Sequence, residues 1–197
     1  MSESVAPQRP ACPHCHRPLR GCLCSFARPV TNEVPVLVLQ HPLETGHPKG
    51  SVPLLQLSLA DCRLETGERF DPGLLADWLG PPGHSLLLYP EAVLGSQPAV
   101  PAAVAAMPGQ LVVIDGTWRK SLKMLLLNPG LQALPRLSLH TPPPSRYGSL
   151  RQAPRATQRS TLEACCLALG QLEQAPANYL PLLAAFDDFV QQRAVIS

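Results

Sequence analysis

Leu111-Val112-Val113-Ile114-Asp115-Gly116-Thr117-Trp118 decides how the rest of this chain is read. Four apolar residues, three of them β-branched, spell a strand buried on both faces, and Asp-Gly at its end marks an abrupt turn. A carboxylate therefore stands at the carboxyl edge of a strand, where the loops of an open α/β sheet part into a ligand-binding crevice. Gly116 lets a ligand approach the backbone, Thr117 is placed to cap the following helix, and Trp118 offers a broad face for stacking.

Working outward, the same alternation of buried strands and helices continues on both sides. Val34–Leu39 reads as a strand, Val52–Leu59 as a helix, Asp61–Leu64 as a strand, Pro72–Leu79 as a helix and His84–Tyr89 as a strand. An Ala/Pro-rich stretch from Ser96 to Gly109 is expected to hold a short crossover helix. Trp118–Leu127 follows as a helix stopped by Asn128-Pro129-Gly130, and Arg136–Leu139 is a last short strand. Ser160-Thr161-Leu162-Glu163 has the form of a capping box opening an apolar helix through Cys165, Cys166, Leu169 and Leu172. A closing helix starts near Asn178 and buries Leu182, Leu183, Phe186, Phe189 and Val190. Strands alternating with helices at this spacing predict an α/β fold with a parallel sheet flanked by helices.

With 197 residues there is room for one full core and a small appendage. The 24 prolines fall between apolar runs and read as rigid loops rather than disorder. No charged-then-apolar leader is seen, and no apolar run reaches the roughly 18 residues of a membrane span. A cytoplasmic protein with no membrane contact is expected. The net charge is only +2, but eight of the 16 lysines and arginines lie between Asp115 and Glu163, an interval without one acidic residue. They are Arg119, Lys120, Lys123, Arg136, Arg146, Arg151, Arg155 and Arg159, and they predict a basic surface suited to a polyanion or an anionic ligand group.

Near the amino terminus Cys12-x-x-Cys15 and Cys22-x-Cys24 place four thiols within thirteen residues. In a reducing compartment this pattern suits a structural zinc ion, with four protein ligands leaving no open position for catalysis. The segment 1–30 is thus expected to be a zinc knuckle and 31–197 the main domain. Cys165 and Cys166, side by side on an apolar helix, read as small core residues.

Neither Gly-x-Gly-x-x-Gly, nor a Gly-Lys-Ser/Thr phosphate loop, nor Gly-x-Ser-x-Gly is present, which removes the main support for dinucleotide enzymes, nucleotide hydrolases and serine hydrolases. What remains is a set of motifs in one order: Cys12-x-x-Cys15 with Cys22-x-Cys24, His41-Pro-x-Glu44, Asp115-Gly-Thr-Trp118, Ser145-Arg-Tyr147, Arg151 and Ser160-Thr-Leu-Glu-Ala164. Together they resemble the DTW-domain family of tRNA-uridine aminocarboxypropyltransferases. Gly50-Ser51 departs from the Asn-Thr-like pair expected in that loop.

The resemblance implies a SPOUT-like sheet with a carboxyl-terminal trefoil knot binding S-adenosylmethionine in a bent shape. It implies transfer of the 3-amino-3-carboxypropyl arm to N3 of a uridine in tRNA, leaving methylthioadenosine. By the same analogy the cofactor pocket comprises Leu88, Tyr89, Pro90, Gly116, Arg146, Tyr147, Arg151, Ser160, Thr161 and Glu163. His41, Glu44, Lys49, Ser51, Arg119, Lys120 and Arg155 would face the RNA, with a monomer or a homodimer as the working unit. The chemistry asks for a base at N3 and for positioning, and Asp115, with Thr117 and Trp118, is the candidate catalytic group. An arginine such as Arg146 or Arg151 would take the carboxylate of the arm, and Trp118 or Tyr147 would stack on a flipped uracil. Two other readings share these residues: a SPOUT-type RNA methyltransferase, and a non-catalytic zinc-containing RNA-binding module.

Overall fold

A computed structural model of the chain describes residues 10–15, 17–90, 107–139 and 159–196. Its strands are β1 (Val36–Gln40), β2 (Cys62–Thr66), β3 (Ser85–Leu88), β4 (Gln110–Asp115) and β5 (Arg136–Leu137). They form one sheet in the order β2-β1-β4-β3-β5, and every pairing is parallel. The helices are α1 (Val52–Ser58), α2 (Pro72–Leu79), α3 (Trp118–Leu127), α4 (Pro129–Gln132), α5 (Thr161–Leu172) and α6 (Leu180–Ile196). The predicted parallel α/β architecture is therefore present, and α2 and α3 have the bounds read from the sequence.

Period-two alternation sorts the strand side chains onto two faces. Val36 and Val38 of β1, Leu86 of β3, and Leu111 and Val113 of β4 meet α1, α5 and α6 on one side. Leu37, Leu39, Leu87 and Val112 meet α2, α3 and α4 on the other. Both faces of the sheet are covered, which is why β1 and β4 are near-continuous apolar runs. The crossover expected between Ser96 and Gly109 lies largely outside the described residues, as does the chain at 140–158 on which the trefoil-knot expectation rests.

Local chemistry sets the helix ends. The Asp71 carboxylate accepts from the Gly73 and Leu74 backbone N–H groups at 2.9 and 3.0 Å, and Gly80, at φ 69°, closes α2 in a conformation that suits glycine. The break after α3 falls at Asn128, as expected, but Pro129 does more than stop a helix. At the first position of a new turn its fixed φ and missing N–H cost nothing, so it starts α4. Asn128 secures that corner, donating to the Glu68 and Met124 carbonyls and accepting from the Phe70 N–H.

The amino-terminal segment is less self-contained than its polar composition suggests. Leu23 is fully buried in the main core, and Phe26 sits edge-on to Phe189 of α6 at 5.9 Å. Cys165 and Cys166 are buried in the same cluster, and burial pushes the Cys166 thiol up to about 12. No helix among the described residues is long and apolar enough to cross a membrane.

Adjacent strands β1 and β4 send their chains to opposite faces, β1 into α1 and β4 into α3. That divergence opens a crevice at their carboxyl ends, a topological switch point. Phe186 of α6, fully buried at the centre of the covering layer, is the natural probe of the packing beneath it. Phe186→Ala is expected to lower unfolding stability by about 3–5 kcal/mol in urea denaturation, in the range for a large aromatic removed from a packed core.

Candidate active site

Asp115 ends β4 at that switch point, in register with Gln40 at the end of β1. Its carboxylate is half-buried and held from two sides. Oδ2 accepts from Gln40 Nε2 at 2.9 Å, and Oδ1 accepts a short hydrogen bond from the Thr161 hydroxyl at the start of α5. The Asp115 carbonyl also receives the His41 backbone N–H at 2.9 Å. Donors from two distant segments thus fix the orientation of the carboxylate. Each oxygen keeps further acceptor capacity, so the group can still receive a proton donor from a ligand.

Thr161 was expected at the cofactor and is here a partner of Asp115. Ser160 and Glu163 form the capping box: the Glu163 carboxylate accepts from the Ser160 N–H and hydroxyl, both at 2.9 Å, while the Ser160 oxygen accepts from the Glu163 N–H at 3.0 Å. Both side chains are buried, so the structure uses them to pin the helix start that delivers Thr161. Ser51 joins the same corner, its hydroxyl accepting from the Leu162 N–H at 3.3 Å. The Gly50-Ser51 departure thus still supplies a hydroxyl that ties the loop after β1 to α5.

Thr117 caps α3 by accepting from the Lys120 N–H at 3.4 Å. Trp118 is 46% exposed and stands edge-on to Tyr89, with ring centroids 6.0 Å apart and planes at 72°. A large aromatic this open, braced among the described residues by the Tyr89 ring, retains a face for stacking. Tyr89 is buried and its hydroxyl lies 3.4 Å from that of Ser121, while Leu88 and Pro90 beside it are half-buried. At Gly116 an added Cβ would fall 3.2 Å from the Lys120 Cβ and 3.6 Å from the His41 Cβ. The residue lets α3 close onto the β1 loop, a packing role beside the ligand approach expected for it.

His41 is buried. Its Nδ1 accepts from the Leu43 N–H at 3.1 Å, which leaves Nε2–H to donate to Glu68 at 3.0 Å. Glu68, at the exit of β2, carried no sequence motif, yet it also binds Lys123 at 2.9 Å; Lys123 and His41 hold its carboxyl below the usual range. Glu44 pairs with Lys120 at 2.8 Å. The acid-free interval from Asp115 to Glu163 is consequently less basic in space than along the chain, because the sheet brings Glu44 and Glu68 against two of its lysines. Arg119 stays exposed and Lys49 half-buried, whereas Arg146, Tyr147, Arg151 and Arg155 lie outside the described residues.

The four thiols of Cys12, Cys15, Cys22 and Cys24 lie within 4.8 Å of one another, a group that could hold a metal ion. The Cys12–Cys24 and Cys15–Cys22 sulfur distances are 3.7 and 3.8 Å. Sulfurs bound tetrahedrally at about 2.3 Å are spaced roughly 3.8 Å apart, so the donor set fits a zinc-sized ion and is far too open for disulfides. The Cys15 and His14 backbone N–H groups pull the Cys12 thiol down to about 6. Arg17, inside the knuckle, donates to the carbonyls of His47 at 2.9 Å and of Pro48 and Gly50 at 3.3 Å. The knuckle is thereby clamped to the loop that follows His41.

The DTW domain model matches residues 9–194, nearly the whole chain. The chain belongs to the DTW-domain family. It is 31% identical over 183 residues to tRNA-uridine aminocarboxypropyltransferase 2 of Macaca fascicularis, covering 89% of this chain and 60% of that protein. The protein of the same name from Drosophila melanogaster is 33% identical over 177 residues, covering 86% of this chain and 69% of the relative. The DTW chain thus spans about three fifths of the length of the Macaca relative. No solved structure matches it. The residues that name the family, here Asp115, Thr117 and Trp118, gather with His41 and Thr161 at the switch point. Gln40 and Glu68 complete that group, and no motif had pointed to them.

The Arg17 clamp makes the knuckle testable from a distance. Cys22→Ser should abolish metal content measured by inductively coupled plasma mass spectrometry, and should raise hydrogen exchange at His47–Gly50 as well as within the knuckle. Loss of metal with no change at His47–Gly50 would show that the clamp holds without it.

Proposed function

We propose that this chain transfers the 3-amino-3-carboxypropyl group of S-adenosylmethionine to N3 of a uridine in tRNA, releasing methylthioadenosine, with zinc at the four cysteines. The observation that carries the reading is the Asp115 carboxylate, oriented by Gln40 and Thr161 at the switch point beside the exposed face of Trp118. The names of the relatives support the reaction class and the substrate. A SPOUT-like knotted half, with Arg146, Tyr147 and Arg151 closing the pocket and Arg155 toward the RNA, belongs to the same proposal, as does work in the cytoplasm.

S-adenosylmethionine supplies a sulfonium leaving group and the electrophilic carbon attached to it. The protein's task is then placement and deprotonation. Trp118 stacks on the uracil and sets its plane, with the N3–H directed at Asp115. Asp115 takes the N3 proton as the N3–carbon bond forms and the carbon–sulfur bond breaks, the bond pair leaving on the sulfur of methylthioadenosine. Gln40 and Thr161 keep the carboxylate from turning away. The loops after β3 and β4 enclose the adenosyl group beside Leu88, Tyr89, Pro90 and Gly116. Lys49, Arg119 and the metal-bound knuckle provide the RNA-facing side, which His41, Glu44 and Lys120 brace through their contacts at the loop after β1.

Incubation with unmodified tRNA and S-adenosylmethionine, followed by mass analysis of digested nucleosides and of the spent cofactor, tests this directly. An aminocarboxypropyl-uridine together with methylthioadenosine is expected, and Asp115→Asn should slow its formation by about 10²–10⁴-fold. A methylated nucleoside with S-adenosylhomocysteine would make the chain a methyltransferase instead. Bound tRNA with the cofactor ignored would reduce it to a binding module.

A further inference from the structure

Arg136 takes no part in the hydrogen bonds that hold Asp115. It opens β5, opposite Leu87 in register, and is only 3% exposed. A buried guanidinium normally sits against a carboxylate, because an unpaired charge out of water is strongly unfavourable. Arg136 has none: no ion pair involves it among the described residues, and its Nε is buried without a partner. Among the described residues its guanidinium makes one hydrogen bond, from Nη1 to the Pro90 carbonyl, which is long at 3.5 Å, and its Cζ lies 5.8 Å from the centre of the Tyr89 ring. A planar fork of donors is thus held at the carboxyl edge of the sheet with most of its capacity unspent.

Its position matches one part of the proposed substrate. Tyr89 contacts Arg136 on one side and Trp118 on another, so the guanidinium lies in the same aromatic corner as the stacking face. Strands β4 and β5 flank β3, which places their axes roughly 10 Å apart. From the reacting carbon to the carboxyl carbon the amino-acid arm spans about 4 Å, three single bonds of about 1.5 Å each. Arg136 stands level with Leu87 and hence with Val112, three residues or roughly 10 Å short of Asp115 along the strands, and its side chain recovers that length by reaching the Pro90 carbonyl just past β3. An arm reacting near Asp115 can then bring its carboxylate across the end of β3 to the guanidinium. We infer that Arg136 is a binding residue for the carboxylate of the amino-acid arm, pairing with it through the guanidinium fork. This rests on the transfer reaction proposed above and assigns to Arg136 the contact expected of Arg146 or Arg151. An RNA phosphate could use the same donor chemistry, but a side chain this buried suits a small arm that enters the pocket.

Calorimetric titration of the intact protein with S-adenosylmethionine, its decarboxylated analogue, methylthioadenosine and tRNA tests the assignment. The wild type should bind S-adenosylmethionine ten- to a hundredfold more tightly than the decarboxylated analogue, as a charge-assisted pair predicts. Arg136→Gln should erase that difference while leaving methylthioadenosine affinity within about twofold, and Arg136→Lys should restore part of it. Equal wild-type affinity for the two cofactor forms overturns the assignment without needing any variant to fold. A parallel loss of S-adenosylmethionine and methylthioadenosine binding in Arg136→Gln overturns it in favour of a structural role, and loss of tRNA binding alone points to a phosphate. Failure of the wild type to bind either adenosyl compound sinks the transfer reaction itself, a result distinct from all of these.

Discussion

The pairing of Gln40 with Asp115 is the interaction on which the site depends. It joins the ends of two neighbouring strands whose chains leave for opposite faces of the sheet, and so spans the mouth of the crevice that topology opens there. The hydroxyl of Thr161 completes the hold from a third segment, 46 residues further along the chain. One carboxylate thus ties together β1, β4 and α5. Moving any of the three would turn it, which is the condition for a reacting group that must meet its substrate at one angle.

Around that joint the protein spends its polar groups on fixing loops. The capping box and Ser51 settle the start of α5, so that Thr161 faces Asp115. His41 and Glu44, on the loop after β1, are engaged by Glu68 and Lys120. The knuckle extends the chain of support outward, since Arg17 clamps the far end of the same loop and Leu23 roots the knuckle in the core. A metal bound by four thiolates would in this way act on the site through loop geometry alone, with no open coordination position.

Much of this was legible in the sequence, and the reasons divide by range. Strands and helices follow from periodicity and caps, which are local; hence α2 and α3 have their expected bounds and Cys165 and Cys166 are core residues. The four thiols were legible because metal ligation demands a short spacing. Pairings between distant segments left no such mark. Glu68 belongs to no motif, and the neutralisation of Lys120 and Lys123 needed the sheet order before it could be seen. Thr161 was singled out, but for a ligand rather than for Asp115. Arg136 was counted as one basic residue of eight, although a cation between Pro135 and Leu137 in a short strand hints that it is not a surface group.

The proposed reaction places the uridine at Asp115, which Gln40 and Thr161 hold in position. A crystal structure of the protein with methylthioadenosine and a uridine-containing oligonucleotide tests it most directly. The uracil N3 is expected within hydrogen-bond reach of an Asp115 oxygen, with the ring stacked on Trp118 and both existing hydrogen bonds to the carboxylate intact. A uracil seated elsewhere, or an Asp115 turned away to meet only the adenosyl group, would contradict it.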